Sequence, residues 1–199
     1  MSLIDHLLYA ALWVSFGAGH SLLAGATLRR VAGAGYQLVY NAIATVHFAV
    51  VILVGHLWLT AGATVYDRPD WLVVGQWLLV VVGLAGLAVA LRGYDLGLLA
   101  GTAQWRAARR GAALDDGDEP LRLGGLHRWV RHPLYAATFP ILWGLVDGEF
   151  SLATALWASA YFWVGSRFEE RRLIARYGDA YRDYRARVPA FVPWKGRAV

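Results

Sequence analysis

Three apolar runs dominate the first half of the chain: 6–25 (HLLYAALWVSFGAGHSLLAG), 38–62 (LVYNAIATVHFAVVILVGHLWLTAG) and 71–91 (WLVVGQWLLVVVGLAGLAVAL). Each is long enough to cross a bilayer, which takes about 20 apolar residues. The third carries one strongly polar side chain, Gln76. Only Asp5 and His6 flank the first on its amino-terminal side, so it lacks the basic flank of a signal peptide and is read as a span. Two shorter runs, 133–146 and 150–166, are separated by Asp147-Gly148-Glu149. At a rise of ~1.5 Å per residue, the shorter one covers only about 21 Å. The pattern therefore predicts a tight helical hairpin packed on the longer helices, kinked at Pro140. The expected fold is all-α: a polytopic membrane protein of about five transmembrane helices, three long plus the hairpin.

The polar tail has its own pattern. In 168–188 (FEERRLIARYGDAYRDYRARV), Leu173, Tyr177, Tyr181, Tyr184 and Val188 recur at steps of three or four, giving one apolar stripe. This predicts a cytoplasmic amphipathic C-terminal helix. Gly178 is expected to divide it, with Asp179 as N-cap, and Glu169–Arg172 and Asp183–Arg187 are expected as intrahelical pairs. One reading of the stripe is adsorption to an anionic leaflet. Against it stand Glu169 and Glu170 at the membrane end, which such a surface repels.

Composition agrees with the membrane assignment. The chain of 199 residues is 58% hydrophobic and 17% charged, too apolar for an ordinary soluble domain. Ten Trp and ten Tyr suit two membrane–water interfaces. With no Cys there is no thiolate metal site and no Cys nucleophile. The net charge of +5 could point to nucleic acid, but the placement of the charges opposes it. Five spans with the N-terminus outside put 18 of the 19 basic residues on the cytoplasmic side, Arg68 being the exception. The expected location is a bacterial inner membrane, with the lipid bilayer as partner, no nucleic acid and no obligate protein partner. The cytoplasmic material is then 93–131, which includes the acidic insert 111–120 (GAALDDGDEP), and the tail from 167.

The hairpin concentrates chemistry at that face. Arg131 and His132 precede its first arm, and Glu169 and Glu170 follow its second. A hairpin brings its two ends together, so these four groups are expected to be close. Pro133 fits the first helical turn, whose free N–H groups favour an anion. Cationic and anionic groups beside apolar helices suit a zwitterionic ligand with an aromatic part.

RHPLY (131–135), a hydrophobic hairpin, then EE, YG, Y..Y and VPAFVP together resemble the integral membrane methyltransferases. This superfamily includes isoprenylcysteine carboxyl methyltransferase and the phospholipid N-methyltransferases. The resemblance covers about 120–194. FGAGHSLLA (16–24) and YDLGLL (94–99) resemble the bacterial branch that includes methanethiol S-methyltransferase. The resemblance implies one domain over 1–199, with 1–92 as a three-helix scaffold and 93–199 as the catalytic half. It implies S-adenosylmethionine as cofactor and a small thiol or a lipophilic acceptor as substrate, a phospholipid amine being the alternative. It places Arg131, His132, Tyr135, Glu169, Glu170, Tyr181 and Tyr184 around the cofactor, with Glu169 and Glu170 holding its ribose or amino end or orienting the substrate. Methyl transfer from a sulfonium is an in-line displacement, so Glu170 with a nearby arginine, Arg167, Arg171 or Arg172, is the expected catalytic set, the arginine guiding an anionic nucleophile. The family pattern has Gly two residues after the Tyr of RHPLY; here that position is Ala137.

Intramembrane histidines open a competing class, a haem or metal protein, through His20, His47 and His56. Their spacing does not impose a site; for His20 a hydrogen bond across helices is the preferred expectation.

Overall fold

The computed structural model describes residues 1–60, 62–112 and 120–195, with only the backbone of 26 and 27. Most of the acidic insert 111–120 lies outside the described residues. The chain divides into two compact units, 1–64 with 94–119 and 65–93 with 120–199. The third apolar run lies in the second unit, with the hairpin and tail.

The first unit contains α1 (Leu3–Leu23), α2 (Ala26–Ala32), α3 (Tyr36–Trp58), and, after 94, α5 (Leu96–Ala100) and α6 (Thr102–Arg109). Ser2 starts α1 with a reciprocal capping box to Asp5, satisfying two donors that the first turn leaves without partners. The polar side chains inside the apolar helices pair with each other. His20 Nε2 meets the Tyr40 hydroxyl at 2.5 Å, and His47 Nε2 meets Ser15 Oγ at 3.1 Å. The interhelical hydrogen bond expected for His20 is thus present. Tyr9, Trp13 and Phe16 form the buried seam of α1. Among the described residues, no group of three or more His, Cys, Asp or Glu is placed to hold a metal ion.

The second unit contains α4 (Asp70–Leu91), α7 (Pro133–Gly144), α8 (Glu149–Tyr177) and α9 (Asp179–Arg187). α7 packs along α4 through small residues. A Cβ placed on Gly83 would lie 2.8 Å from the Ala137 carbonyl oxygen, and one on Gly144 would lie 2.6 Å from that of Gln76. Glycine there lets the backbones touch, the usual device for close helix approach in lipid. Ala137 fits because Gly86 faces it: a Cβ on Gly86 would meet the Ala137 methyl at 3.3 Å. The far end of α7 is closed by polar groups. Arg68 Nη1 donates to Gln76 Oε1 (2.9 Å) and to the Val146 carbonyl (3.2 Å), which also accepts from the Gln76 amide.

Among the described residues, two helices are long and apolar enough to cross a bilayer by length and composition, the stretch Leu28–Trp58, which contains α3, and α4 (Asp70–Leu91). Val74, Trp77, Leu78, Val81 and Val82 of α4 are each more than half exposed.

The hairpin and tail differ from the expected pattern. The second arm does not stop at 166. α8 continues to Tyr177, 29 residues or about 43 Å, because the Arg- and Glu-rich stretch after 166 is made of good helix formers. Pro140 sits inside α7 without ending it. The tail break falls at Gly178, whose φ of +57° is open to glycine at little cost. Gly178, not Asp179, is the N-cap of α9. Asp179 instead pairs with Arg182 at 2.6 Å. Arg187 Nε bonds the Asp183 backbone carbonyl rather than its carboxylate.

Candidate functional site

The two ends of the hairpin meet. Glu170 is 5% exposed, and its Oε1 accepts from Arg131 Nε (2.8 Å), from His132 Nε2 (3.0 Å) and, at 2.7 Å, from Arg131 Nη2. The other imidazole nitrogen, Nδ1, lies 3.5 Å from Glu169 Oε2. The four groups flanking the hairpin therefore form one ionic cluster at the start of α7 and along α8.

Four backbone carbonyls tie this cluster to the tail. Arg131 Nη1 donates to the carbonyls of Arg185 (3.2 Å) and Val188 at the end of α9, where a cation also meets the negative end of the helix dipole. The Arg131 and His132 amides donate to the carbonyls of Pro189 (2.9 Å) and Ala190 (3.1 Å). The segment after α9 thus lies along 131–132 and carries Phe191 to within 5.6 Å of the His132 ring and 5.2 Å of the Phe139 ring.

Beside the cluster opens a cavity of about 410 Å3, lined by Arg131, Trp163, Ser166, Arg167, Glu170, Arg185, Ala190 and Phe191. Four of these, 163, 166, 167 and 170, form one stripe of α8 at helical spacing. Arg167 stacks its guanidinium 4.6 Å over the Trp163 ring. Tyr135 lies near-parallel to both His132 (5.6 Å) and Phe162 (4.8 Å). The cavity therefore presents one carboxylate, several guanidinium groups and aromatic faces.

Burial and pairing oppose each other in this cluster. Burial alone pushes the His132 imidazolium to lose its proton, but Glu169 and Glu170 facing both ring nitrogens outweigh it and raise the pKa above 6.5. Burial likewise pushes Glu170 up, while His132 and Arg131 outweigh it and hold the carboxyl below its ordinary value. Pairing thus favours the imidazolium form of His132 and the carboxylate form of Glu170.

The sequence-derived site residues fall in three places. Arg131, Glu170 and Arg167 are on the cavity wall, and His132, Glu169 and Tyr135 are beside it. Arg171 is exposed over the Phe168 ring at 5.5 Å. Tyr181 and Tyr184 are buried with Val188 in a core packed by Leu121, Leu123, Leu173, Ile174 and Tyr177. The Tyr184 hydroxyl donates to the His127 carbonyl at 2.7 Å. The tail stripe is therefore covered by protein. Trp163, Ser166 and Arg185 line the cavity without having been read from the sequence, and Ala190 and Phe191, which lie in the VPAFVP motif, line it without having been given a role. Counting back from Glu170 in steps of three and four would have found Ser166 and Trp163, and the VPAFVP motif holds Phe191; Arg185 carries no local signal.

The chain has curated homologues. It is 33% identical over 144 residues to a methanethiol S-methyltransferase of Mycobacterium tuberculosis, covering 70% of this chain and 57% of that protein. It is 36% identical over 133 residues to methanethiol S-methyltransferase 2 of Bradyrhizobium diazoefficiens, covering 63% of this chain and 50% of that one. A methanethiol S-methyltransferase of Crocosphaera subtropica matches at 34% over 74 residues, 36% of this chain and 28% of that protein. The chain thus spans about half the length of the first two relatives. No family model matches the chain, and no solved structure matches it.

Proposed function

We propose that the chain is a polytopic membrane methyltransferase of the isoprenylcysteine carboxyl methyltransferase type, which uses S-adenosylmethionine to methylate a small thiol or a lipophilic acceptor. The observation that carries this reading is the buried Arg131–Glu170–His132 cluster on the wall of a cavity of about 410 Å3. That volume is within the range of about 300–1,000 Å3 for small-molecule sites. The names of the relatives support methyl transfer and favour a small thiol such as methanethiol.

The residues fit the donor. S-adenosylmethionine brings an electrophilic methyl group on a sulfonium, an α-amino acid end and an aromatic base. Glu170 supplies an anion for positive charge, Arg167 and Arg185 supply cations for a carboxylate, and Trp163 and Phe191 supply aromatic surface. The chain's own task is positioning. Methyl transfer from a sulfonium is an in-line displacement, so placing the two reactants side by side removes much of the barrier. A thiolate acceptor then needs a guide more than a base. Arg167, held over Trp163 at the cavity wall, is placed to attract it, with Arg171 on the outer side of the same helix.

The membrane setting follows from the same features. α1, α3, α4 and the α7–α8 hairpin make five crossings with the N-terminus outside, which leaves 18 of 19 basic residues on the cytoplasmic side. The lipid-facing surface is supplied by apolar side chains such as those of α4, which a soluble protein would not leave uncovered. The cavity then opens at the cytoplasmic interface, where a soluble donor and an apolar acceptor can both reach it.

The test is a radiolabelled methyl-transfer screen in membranes or detergent, with methanethiol, a prenylcysteine and phosphatidylethanolamine as acceptors. Transfer to a thiol, lost in Glu170→Ala, is the expected result. Folded protein that transfers to none of them and binds no S-adenosylhomocysteine in calorimetry overturns the reading.

A further inference from the structure

The end of the first unit where α2 leads into α3 carries charge that the cavity does not use. α6 lies against residues 33–35: a Cβ on Gly35 would meet the Trp105 ring at 3.5 Å. Gly101, at φ +87°, passes so close to α3 that a Cβ there would lie 2.6 Å from the Leu38 amide nitrogen. The Asn41 side chain donates to the Leu99 carbonyl at 2.9 Å and ties α5 to the same helix. On the α2 side, the Arg29 guanidinium sits 4.7 Å over the Tyr36 ring. Both α2 and α6 are thus gathered at the first turns of α3. Arg29 and Arg30 of α2, and Arg106, Arg109 and Arg110 at the end of α6, are exposed. The last three stand at steps of three and four and share a face. Among the described residues of this unit the carboxylates are Asp5, bonded in the capping box of α1, and Asp95, which caps α5 through the Gly97 and Leu98 amides. Apolar side chains lie among the cations: Val31 is 80% exposed and Trp105 47%.

We propose that α2 and α6 form a docking surface for the headgroups of an anionic phospholipid in the leaflet at this end of the helices. A soluble anion would match the arginines but leave Val31 and Trp105 in water. A lipid matches both: its phosphates meet the guanidinium groups, and its acyl boundary takes the apolar side chains. Tryptophan suits that boundary, with an apolar ring and one polar N–H. The planar guanidinium forks donate to phosphate oxygens in pairs. Five arginines also fall within the range of about four to eight that marks a lipid-binding basic cluster beside a span. The inference rests on the membrane setting proposed above and not on the methyl donor, since no residue of this surface lines the cavity.

The test is lipid retention by the full chain. The protein is equilibrated in detergent with equal amounts of dioleoyl phosphatidylglycerol and dioleoyl phosphatidylcholine, repurified, and its bound lipid measured by mass spectrometry. The wild type should hold phosphatidylglycerol over phosphatidylcholine by about 10-fold or more, since each surface arginine favours an anionic lipid by about fivefold. Arg106→Gln, Arg109→Gln and Arg110→Gln together should lower that ratio by about fivefold or more. The same three positions changed to Lys, which keeps the charge, should preserve most of it; an equal loss there assigns the effect to packing and overturns the proposal. Arg176→Gln, Arg182→Gln and Arg187→Gln together remove as much charge from the tail. An equal loss in that variant means that net charge alone attracts the lipid, and overturns the surface as well. A preference that appears only when Asp115, Asp116, Asp118 and Glu119 are neutralised makes the acidic insert the occupant, with the same consequence. Equal retention of the two lipids by the wild type overturns the surface while the membrane setting stands. Retention of neither removes the membrane setting itself, and the surface with it.

Discussion

Removing the Arg131 side chain should strand a buried charge. Arg131→Ala deletes both contacts to Glu170 Oε1 and both contacts to the end of α9, and leaves a carboxylate that is 5% exposed with His132 and, at 3.8 Å, Arg185 as its remaining partners. Breaking a buried ion pair from one side costs about 3–5 kcal/mol, mostly the desolvation of the charge left behind. That is a large part of a total stability of about 5–15 kcal/mol. The imidazolium of His132 compensates in part, so the loss is expected at the lower end of this range in mild acid and should grow as His132 loses its proton. Glu170→Ala should cost a similar amount, by stranding Arg131. The double variant strands neither, so its loss should fall short of the sum of the singles by at least about 2 kcal/mol. Equilibrium denaturation in detergent, followed by tryptophan fluorescence, measures all three. Additivity within about 0.5 kcal/mol would refute the reasoning, because it would mean that the two side chains do not act on one another.

Two more outcomes follow from the same structure. His132 has a folded pKa raised above 6.5, so its contribution to stability is complete below about pH 6.5 and is lost as pH rises through the folded value. The unfolding temperature of the wild type should therefore fall through that window, and His132→Gln should flatten the slope; an unchanged slope would assign the effect to another group. At the α4–α7 seam, Gly86→Ala should destabilise by about 1–3 kcal/mol through its contact with the Ala137 methyl, and Ala137→Gly in the same chain should restore part of the loss. A Gly86→Ala variant as stable as the wild type would show that the seam has room to spare.

What the sequence revealed depended on whether the signal was local. The meeting of Arg131 and His132 with Glu169 and Glu170 was legible, because two apolar arms joined by Asp147-Gly148-Glu149 must return to the side they left. The apolar stripe of the tail was legible for the same reason, through helical spacing. Its cover was not: Leu121 and Leu123 come from a segment whose position depends on the fold. The onset of charge at Arg167 suggests the end of a helix, yet α8 continues to Tyr177. Charge marks the edge of a membrane, whereas the backbone continues as long as the residues favour helix. Asp179 was a reasonable cap by residue type, but the positive φ of Gly178 already ends one helix and begins the next. Arg185 and Phe191 reach the cavity only because the tail is bonded along 131–132, a long-range pairing with no repeat or spacing to betray it.

That pairing also sets an order of events during synthesis. The chain is made from its amino terminus, so α7 and α8 exist before residues 185–191. Until that last stretch arrives, Arg131 lacks the Arg185 and Val188 carbonyls, and the cavity lacks the wall formed by Arg185, Ala190 and Phe191. The α7–α8 hairpin can form first, and the pocket closes once residues 185–191 have been made. A chain made only as far as α8 therefore carries the hairpin without a finished pocket.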